Sequence, residues 1–271
     1  SDIMEKKMKG TTSEGAYKYL FEGKSLNYIK CIDVPYESLR EECFIDIQLT
    51  VKGCEDIIQS LRDYTQEETL EGDDMYEAEG YGKQRAKIVK KFSKIPNVMI
   101  LQLKRFEYNP KKDRMEKIND YFKFYDEICV RDFIHKPLDE DDYNYTLHSV
   151  VVHKGSIQSG HYHAYIRPGL ENKWYNFNDE HVRESDNYEV FNSNFGGSNT
   201  IYKHRHQGEI HDFSSKNDAS AYILIYIKNS EREKILTKIS KDEIPERLIK
   251  KFDKLFNQHH LRITWRKKAL I

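Results

Sequence analysis

Several features are missing or scarce in these 271 residues, and each absence removes a class of protein. No apolar run approaches the roughly 18–20 residues that a membrane helix needs, so no membrane partner is expected. Neither sign of charge dominates. The 44 Lys and Arg against 45 Asp and Glu give a net charge of -1, so nothing global points to nucleic acid or acidic lipid. Cysteine is sparse: Cys31, Cys43, Cys54 and Cys129 are scattered, with no CxxC pair. That pattern argues against a disulfide scaffold and fits a reducing intracellular compartment, cytoplasmic or nuclear. Internal repeats and low-complexity tracts are absent. The opening SDIMEKKMKG lacks a signal-peptide core and reads as a cut within a longer protein.

What is present is a well-stocked core and a highly charged surface. Hydrophobic residues make up 38% and aromatics 13%, enough for one large domain or two small ones, while 33% charged residues solvate the outside. Residues 2–9 suggest a helix that stops at Gly10. Cys43–Val51 alternates apolar and polar residues and predicts a half-buried strand; Asp56–Tyr64 switches to helical spacing. Glu67–Tyr81 reads as acidic and irregular, and Lys83–Lys91 as a basic solvated face. Val98–Phe106, entered through Pro96, predicts a strong strand, closed by a turn at Asn109-Pro110. Four further strands follow at Tyr145–His153, His161–Arg167, Trp174–Phe177 and Ala221–Lys228, the last apolar nearly throughout as a central strand should be. Ser185–Phe191 suggests a short helix capped by Ser185 or Asp186. Antiparallel strands with helices set apart from them predict an α+β fold. From Glu231 onward the chain reads as helical, Pro245 sits at a helix start, and Leu248, Ile249, Phe252, Leu255 and Phe256 form a stripe expected to pack against a core.

The chemistry concentrates in QSGHYHAY, residues 158–165. On a strand His161 and His163 share one face, which invites three readings. A metal site needs three or four converging ligands, and no carboxylate or cysteine shows metal spacing around this pair or around His204-Arg205-His206 with His211. A polar strand face with ordinary hydrogen bonds is the plain alternative. The third reading is a general base, which needs a partner to hold the imidazole by its other nitrogen. Seventeen residues after His161, the strand Trp174–Phe177 ends in Asn178-Asp179. A hairpin at Pro168-Gly169 would bring Asn178 or Asp179 to His161. An Asn partner orients the ring without adding charge, which suits a thiolate–imidazolium pair.

The strings SGHYHAY and WYNFND, in that order and at that distance, resemble the histidine box of the ubiquitin-specific protease family; IPNVMILQLKRF resembles its Leu-Lys-Arg-Phe strand. EKKMKGT, YIKCIDVPYES, FIDIQLTVKG, INDYFKF, NSNFGG and AYILIYIK are similar to the herpesvirus-associated branch, so the resemblance spans nearly the whole chain. It implies a papain-like fold of fingers, palm and thumb, mainly antiparallel sheet, and hydrolysis of the bond after the C-terminal glycine of ubiquitin. By that resemblance His161 is the general base and acid, Asn178 orients it, and Asp179 supports the oxyanion or the histidine. Tyr162 and Phe106 line a channel for the ubiquitin tail, and the loop Gly155–Gly160, ending in the ubiquitin-contacting Gly160, must move as the tail enters. Asp2 and Glu5, one helical turn apart, match acidic positions facing basic residues of ubiquitin; a solvated helix end is the equally weighted alternative.

The chain departs from the family pattern twice. Its cysteines lack the two CxxC pairs that bind zinc in many members, so no metal and no cofactor are expected. The family's Gly-x-x-Asn-x-Gly-Asn-(Thr/Ser)-Cys nucleophile box is also absent, and a buried structural thiol is the default for each of the four cysteines. The chain therefore looks like residues 1–230 of palm and fingers plus a helical tail over 231–271, without the thumb that carries the cysteine. Two functions remain open: part of a deubiquitinating cysteine protease, or a non-catalytic ubiquitin-binding scaffold on the same fold. Ubiquitin and ubiquitinated proteins are the expected partners. An uncovered apolar cleft face predicts self-association of the chain alone.

Overall fold

The computed structural model describes residues 2–206, 209–216 and 218–255. The chain opens with helices α1 (Asp2–Met8) and α2 (Ala16–Phe21), then strands β1 (Gly23–Cys31), β2 (Glu37–Phe44) and β3 (Asp46–Thr50) and helix α3 (Ile57–Thr65). Short strands β4 (Glu68–Leu70), β5 (Tyr76–Ala78) and β6 (Gly82–Gln84) precede the longer β7 (Ala86–Lys94) and β8 (Val98–Lys104). Next come the hairpin β9 (Phe106–Asn109) and β10 (Arg114–Lys117), then β11 (Glu127–Cys129). A meander follows: β12 (Asn144–Gly155), β13 (Gly160–Ile166), β14 (Trp174–Asn178) and β15 (His181–Ser185). Helix α4 (Asn187–Phe191), the hairpin β16 (Ser198–His206) and β17 (Glu209–Lys216), strand β18 (Ala219–Lys228) and the short helix α5 (Arg232–Ile235) follow.

The fold is α+β and mainly antiparallel. An eight-stranded sheet runs β15-β14-β13-β12-β18-β8-β3, with β11 also pairing β12, and only β3 and β8 are parallel. A separate four-stranded sheet runs β2-β1-β7-β4. The core lies under the large sheet. Strand β3 alternates, burying Ile47 and Leu49 beneath Ile57 and Leu61 of α3. Asp56 caps α3: one carboxylate oxygen accepts from the Gln59 amide at 2.8 Å and the other from the Tyr125 hydroxyl at 2.8 Å. Strand β18 lies between β12 and β8, which explains its apolar run.

Several expected boundaries shift. The strand read across Cys43–Val51 is two strands, because the chain bends at Ile45 and sends Cys43 into β2 of the smaller sheet. The basic run Lys83–Lys91 is not merely a solvated face; most of it forms β6 and β7, and Ala86 is fully buried. A sheet with shallow faces accepts lysines whose stems lie along it. The acidic stretch Glu67–Tyr81, read as irregular, contains β4 and β5. Phe106 opens β9 rather than ending β8, since the buried Arg105 breaks the strand between them. Of the two candidate caps for α4, Asp186 serves, accepting from the Glu189 amide at 2.8 Å.

By compactness the chain divides into two units, Ser1–Glu233 and Lys234–Ile271. In the second, residues 246–255 are helical, opened by the Pro245 carbonyl accepting from the Leu248 amide at 2.8 Å. The stripe expected to pack is exposed: Leu248, Ile249 and Leu255 are accessible and Phe252 is 63% exposed. Phe256 lies outside the described residues. Among the described residues no helix is long and apolar enough to cross a membrane.

Candidate active site

Strands β12 and β13 form a tight hairpin in which Lys154 pairs with His161 and Gly155 with Gly160. Its turn closes through the Ser156 amide, which donates to the Ser159 carbonyl at 2.9 Å. Glycine is required at both ends. Gly155 has φ +108°, and a Cβ there would meet the Ser159 carbonyl oxygen at 2.6 Å. At Gly160 a Cβ would stand 2.0 Å from Nε2 of His153, whose ring is buried beneath it. The glycine before His161 thus exists to admit the His153 imidazole.

Strand β14 pairs with β13 through Ala164–Phe177, Tyr165–Asn176 and Ile166–Tyr175, which returns the end of β14 toward the start of β13. The Asn178 side chain meets His161 there: Nε2 donates to Asn178 Oδ1 at 2.5 Å. Asp179 lies farther, with its carboxylate 3.8 Å from Nε2, and its left-handed φ of +52° places it in the two-residue turn joining β14 to β15. With Nε2 carrying the bonded proton, the neutral ring presents Nδ1 as its lone-pair nitrogen. His161 is exposed, so that nitrogen is accessible to a reacting group.

His163 stands beside His161 with ring planes 16° apart and centroids at 6.5 Å. Burial first, then the charge of His161, keep its basicity below that of an ordinary histidine. Both rings face a cleft of 680 Å³ that Lys154, Asn178, Arg183 and Glu189 also line. Glu189 ties the back of this region together. It accepts from Arg183 Nη1 at 2.9 Å, the Ser185 hydroxyl at 2.6 Å and the Tyr165 hydroxyl at 3.2 Å. The Arg183 bond leads in holding its carboxyl down to about 2, while burial pushes the Tyr165 phenol up to about 12.

The other residues singled out from the sequence lie elsewhere. Alternation along β13 turns Tyr162 and Gly160 away from His161. Tyr162 packs on His153 at 4.7 Å and Tyr222 at 5.9 Å, and Phe106 packs on the same two rings at 5.5 Å each. Phe106 and Tyr162 therefore share one aromatic cluster on the opposite face of the sheet. Sequence reasoning missed its two hubs, His153 and Tyr222. The need for glycine at 160 is the one local sign of His153. Glu5 borders a separate cleft with Lys6, Met8, Lys9, Tyr17 and Lys18, and the Asp2 side chain lies outside what the structure describes.

None of the four thiols stands with His161. Cys31 and Cys54 are buried, and burial raises both thiols. Cys43 is on β2 of the other sheet. Cys129 pairs with Asn144, ten residues along β12 from the Lys154 that faces His161, or about 33 Å at the rise of a strand. Among the described residues no three His, Cys, Asp or Glu side chains converge as metal ligands. In the second HxH segment, His204 pairs across strands with His211; those side chains lie outside the description.

A profile of the ubiquitin carboxyl-terminal hydrolase family matches residues 2–226. Ubiquitin C-terminal hydrolase 13 of Arabidopsis thaliana is 42% identical over 250 residues, covering 90% of this chain and 22% of its own length. Ubiquitin carboxyl-terminal hydrolase 15 of Schizosaccharomyces pombe is 41% identical over 245 residues, 90% of this chain and 21% of its own. Ubiquitin carboxyl-terminal hydrolase 7 of Drosophila melanogaster is 39% identical over 252 residues, 93% and 21% respectively. The chain spans about a fifth of the length of the curated relatives it matches.

Proposed function

This chain belongs to the ubiquitin carboxyl-terminal hydrolase family, and on that premise we propose that it is the palm-and-fingers part of a deubiquitinating cysteine protease. Residues 1–230 would form that part and 231–271 its tail, helical at 246–255. The observation that carries the reading is the 2.5 Å bond from His161 Nε2 to Asn178, which leaves Nδ1 as the ring's lone-pair nitrogen.

In the proposed reaction Nδ1 takes the proton of a cysteine thiol. The thiolate adds to the carbonyl carbon of the terminal glycine of ubiquitin. The imidazolium returns its proton to the departing amine as the C–N bond breaks. Water then attacks the thioester, giving its proton to His161, and the thiol leaves reprotonated. Asn178 keeps the ring in one tautomer throughout, and Asp179 adds a negative charge near the imidazolium. The thiol is none of Cys31, Cys43, Cys54 or Cys129, given their burial or remoteness. Phe106, Tyr162 and Gly160 would shape the passage for the ubiquitin tail, while Asp2 and Glu5 would meet basic residues of ubiquitin. Four free thiols suit the reducing cytoplasm or nucleus. Exposed Phe177 and Val182, paired across strands β14 and β15, support self-association of the chain alone.

The competing reading is a non-catalytic ubiquitin-binding scaffold, favoured by the lack of a suitable thiol beside His161. A thiol-reactive ubiquitin probe separates the two. The proposal predicts no labelling of the 271-residue chain, and labelling of the full-length gene product on a cysteine other than these four. Labelling of any of the four, or none in the full-length protein, contradicts it.

A further inference from the structure

The Lys117 ammonium has a partner set that the chemistry above does not use. It ends β10, opposite Phe106, and donates to three backbone carbonyls: His153 at 3.2 Å, Gly155 at 3.0 Å and Asp218 at 2.6 Å. An ammonium has three donors, and all three are spent on carbonyls. Two of these belong to the last residues of β12, where the turn leading to Gly160 and His161 begins; the third precedes β18. One side chain therefore joins the β9–β10 hairpin, the end of β12 and the entry to β18.

The segment holding Lys117 is fixed from its other side. The buried Arg105 guanidinium donates to the carbonyls of Ile118 at 3.3 Å, Asp120 at 2.6 Å, Ala221 at 3.1 Å and Phe195 at 3.1 Å. Residues 117–120 are thus anchored to the sheet, and the turn at 155–160 is the part Lys117 restrains. His153 completes the contact: its carbonyl accepts from Lys117, and its ring fills the space that Gly160 leaves open.

We propose that Lys117 is a positioning residue for the His161 chemistry, its ammonium holding the 155–160 turn in the conformation that places His161 against Asn178. The proposal rests on His161 being the base. Other charged or titratable groups that face Lys117 are the Asp218 carboxylate, which favours its charge, the Arg105 guanidinium, which opposes it, and the His153 ring. Burial leads in lowering the basicity of Lys117.

Amide hydrogen exchange on the 271-residue chain tests the clasp without any nucleophile. In Lys117→Met, protection of the Gly155, Ser156 and Ser159 amides should fall about tenfold or more, as expected for losing bonds to a charged donor. Ile100 and Leu101 in β8 should be unchanged. Lys117→Arg keeps the charge but replaces a compact ammonium by a planar fork, and should restore only part of the protection. Unchanged turn protection in the Met variant overturns the clasp. Should that variant fail to fold, Lys117→Arg decides: protection of these turn amides equal to that of the wild type overturns the clasp. In the full-length gene product, Lys117→Met should lower kcat for a ubiquitin substrate about tenfold, whatever change in KM accompanies it. An effect on KM alone, or none, overturns the positioning role. A wild-type protein without turnover counts against the proposed function instead, and the exchange results still judge the clasp.

Discussion

The two larger sheets are built from similar antiparallel ribbons, yet they are held together differently. The eight-stranded sheet rests on a continuous core that includes Leu49, Leu61, Leu103, Tyr145, Leu224 and Tyr226, all essentially inaccessible. The four-stranded sheet reaches that core only at one end, through Phe92 of β7 with Phe44 of β2 packed on it at 5.5 Å; beyond that, Cys31 and Ala86 form a small cluster with Ala78 of β5, against which Ile29, Val34, Tyr36 and Tyr76 pack. Its strands are otherwise laced by surface pairs such as Lys30–Glu37 at 2.8 Å and Lys24–Glu41 at 2.7 Å, and exposed pairs of this kind contribute little. The sheet that carries His161 and Asn178 is the one with the deep core.

The largest expected effect is in the deep core. Trp174→Ala removes a ring that is 1% exposed, packs on Phe191 at 6.1 Å and lies under the Arg167 guanidinium at 4.7 Å. It should cost about 3–5 kcal/mol in denaturant unfolding followed by circular dichroism; a cost like that of a surface change would erase the distinction between the sheets.

Gly160→Ala comes next, at about 1–3 kcal/mol, because the new methyl overpacks against His153. The His161–Asn178 bond should be lost with it, seen as a change in the His161 ring nitrogen shifts. Wild-type stability with unchanged shifts would show that His153 moves aside freely.

A smaller effect follows from acid. His148, His153 and His163, all on β12 and β13, have their basicity lowered chiefly by burial. Their folded values lie below the unfolded value near 6.5, so above that pH both states are neutral and nothing is lost. As pH falls from about 6.5 toward the folded values, the unfolded chain takes up protons that the folded chain resists, and stability drops. The four-stranded sheet has no histidine in β1, β2, β4 or β7. Residue-resolved exchange between pH 7 and 5 should therefore weaken β12 and β13 before β1 and β7; the reverse order contradicts the assignment.

The smallest effect is expected at Leu39, 62% exposed on β2. Leu39→Ser should shift unfolding by no more than about 0.5 kcal/mol, and a larger loss would reveal packing on the small sheet that its exposure does not show.

Legibility in the sequence follows how local each feature is. Strands β12, β13, β14 and β18 carry dense apolar patterns. A single hairpin between β13 and β14 makes the meeting of His161 and Asn178 readable from their spacing. The bend at Ile45 left only a faint sign: Cys43, Phe44 and Ile45 interrupt the alternation, but the apolar odd-numbered positions run on through Val51 and disguise where Cys43 belongs. The cluster of Phe106, His153, Tyr162 and Tyr222 was legible only as two isolated members, since three of its rings come from neighbouring strands β13, β12 and β18 and the fourth from the separate β9–β10 hairpin. Lys117 and Arg105 were invisible as anchors for a different reason. Their partners are backbone carbonyls, which every residue has, so no side-chain pattern announces them.

The central claim is that His161, oriented by Asn178, is the base of a ubiquitin-cleaving thiol enzyme. Its most direct test is hydrolysis of a ubiquitin C-terminal amide by the full-length gene product, wild type against His161→Ala, with ubiquitin affinity measured in parallel. The account predicts a loss of turnover of at least about 100-fold, the contribution of a positioned acid–base group, with ubiquitin binding retained. Turnover that survives the substitution would contradict it.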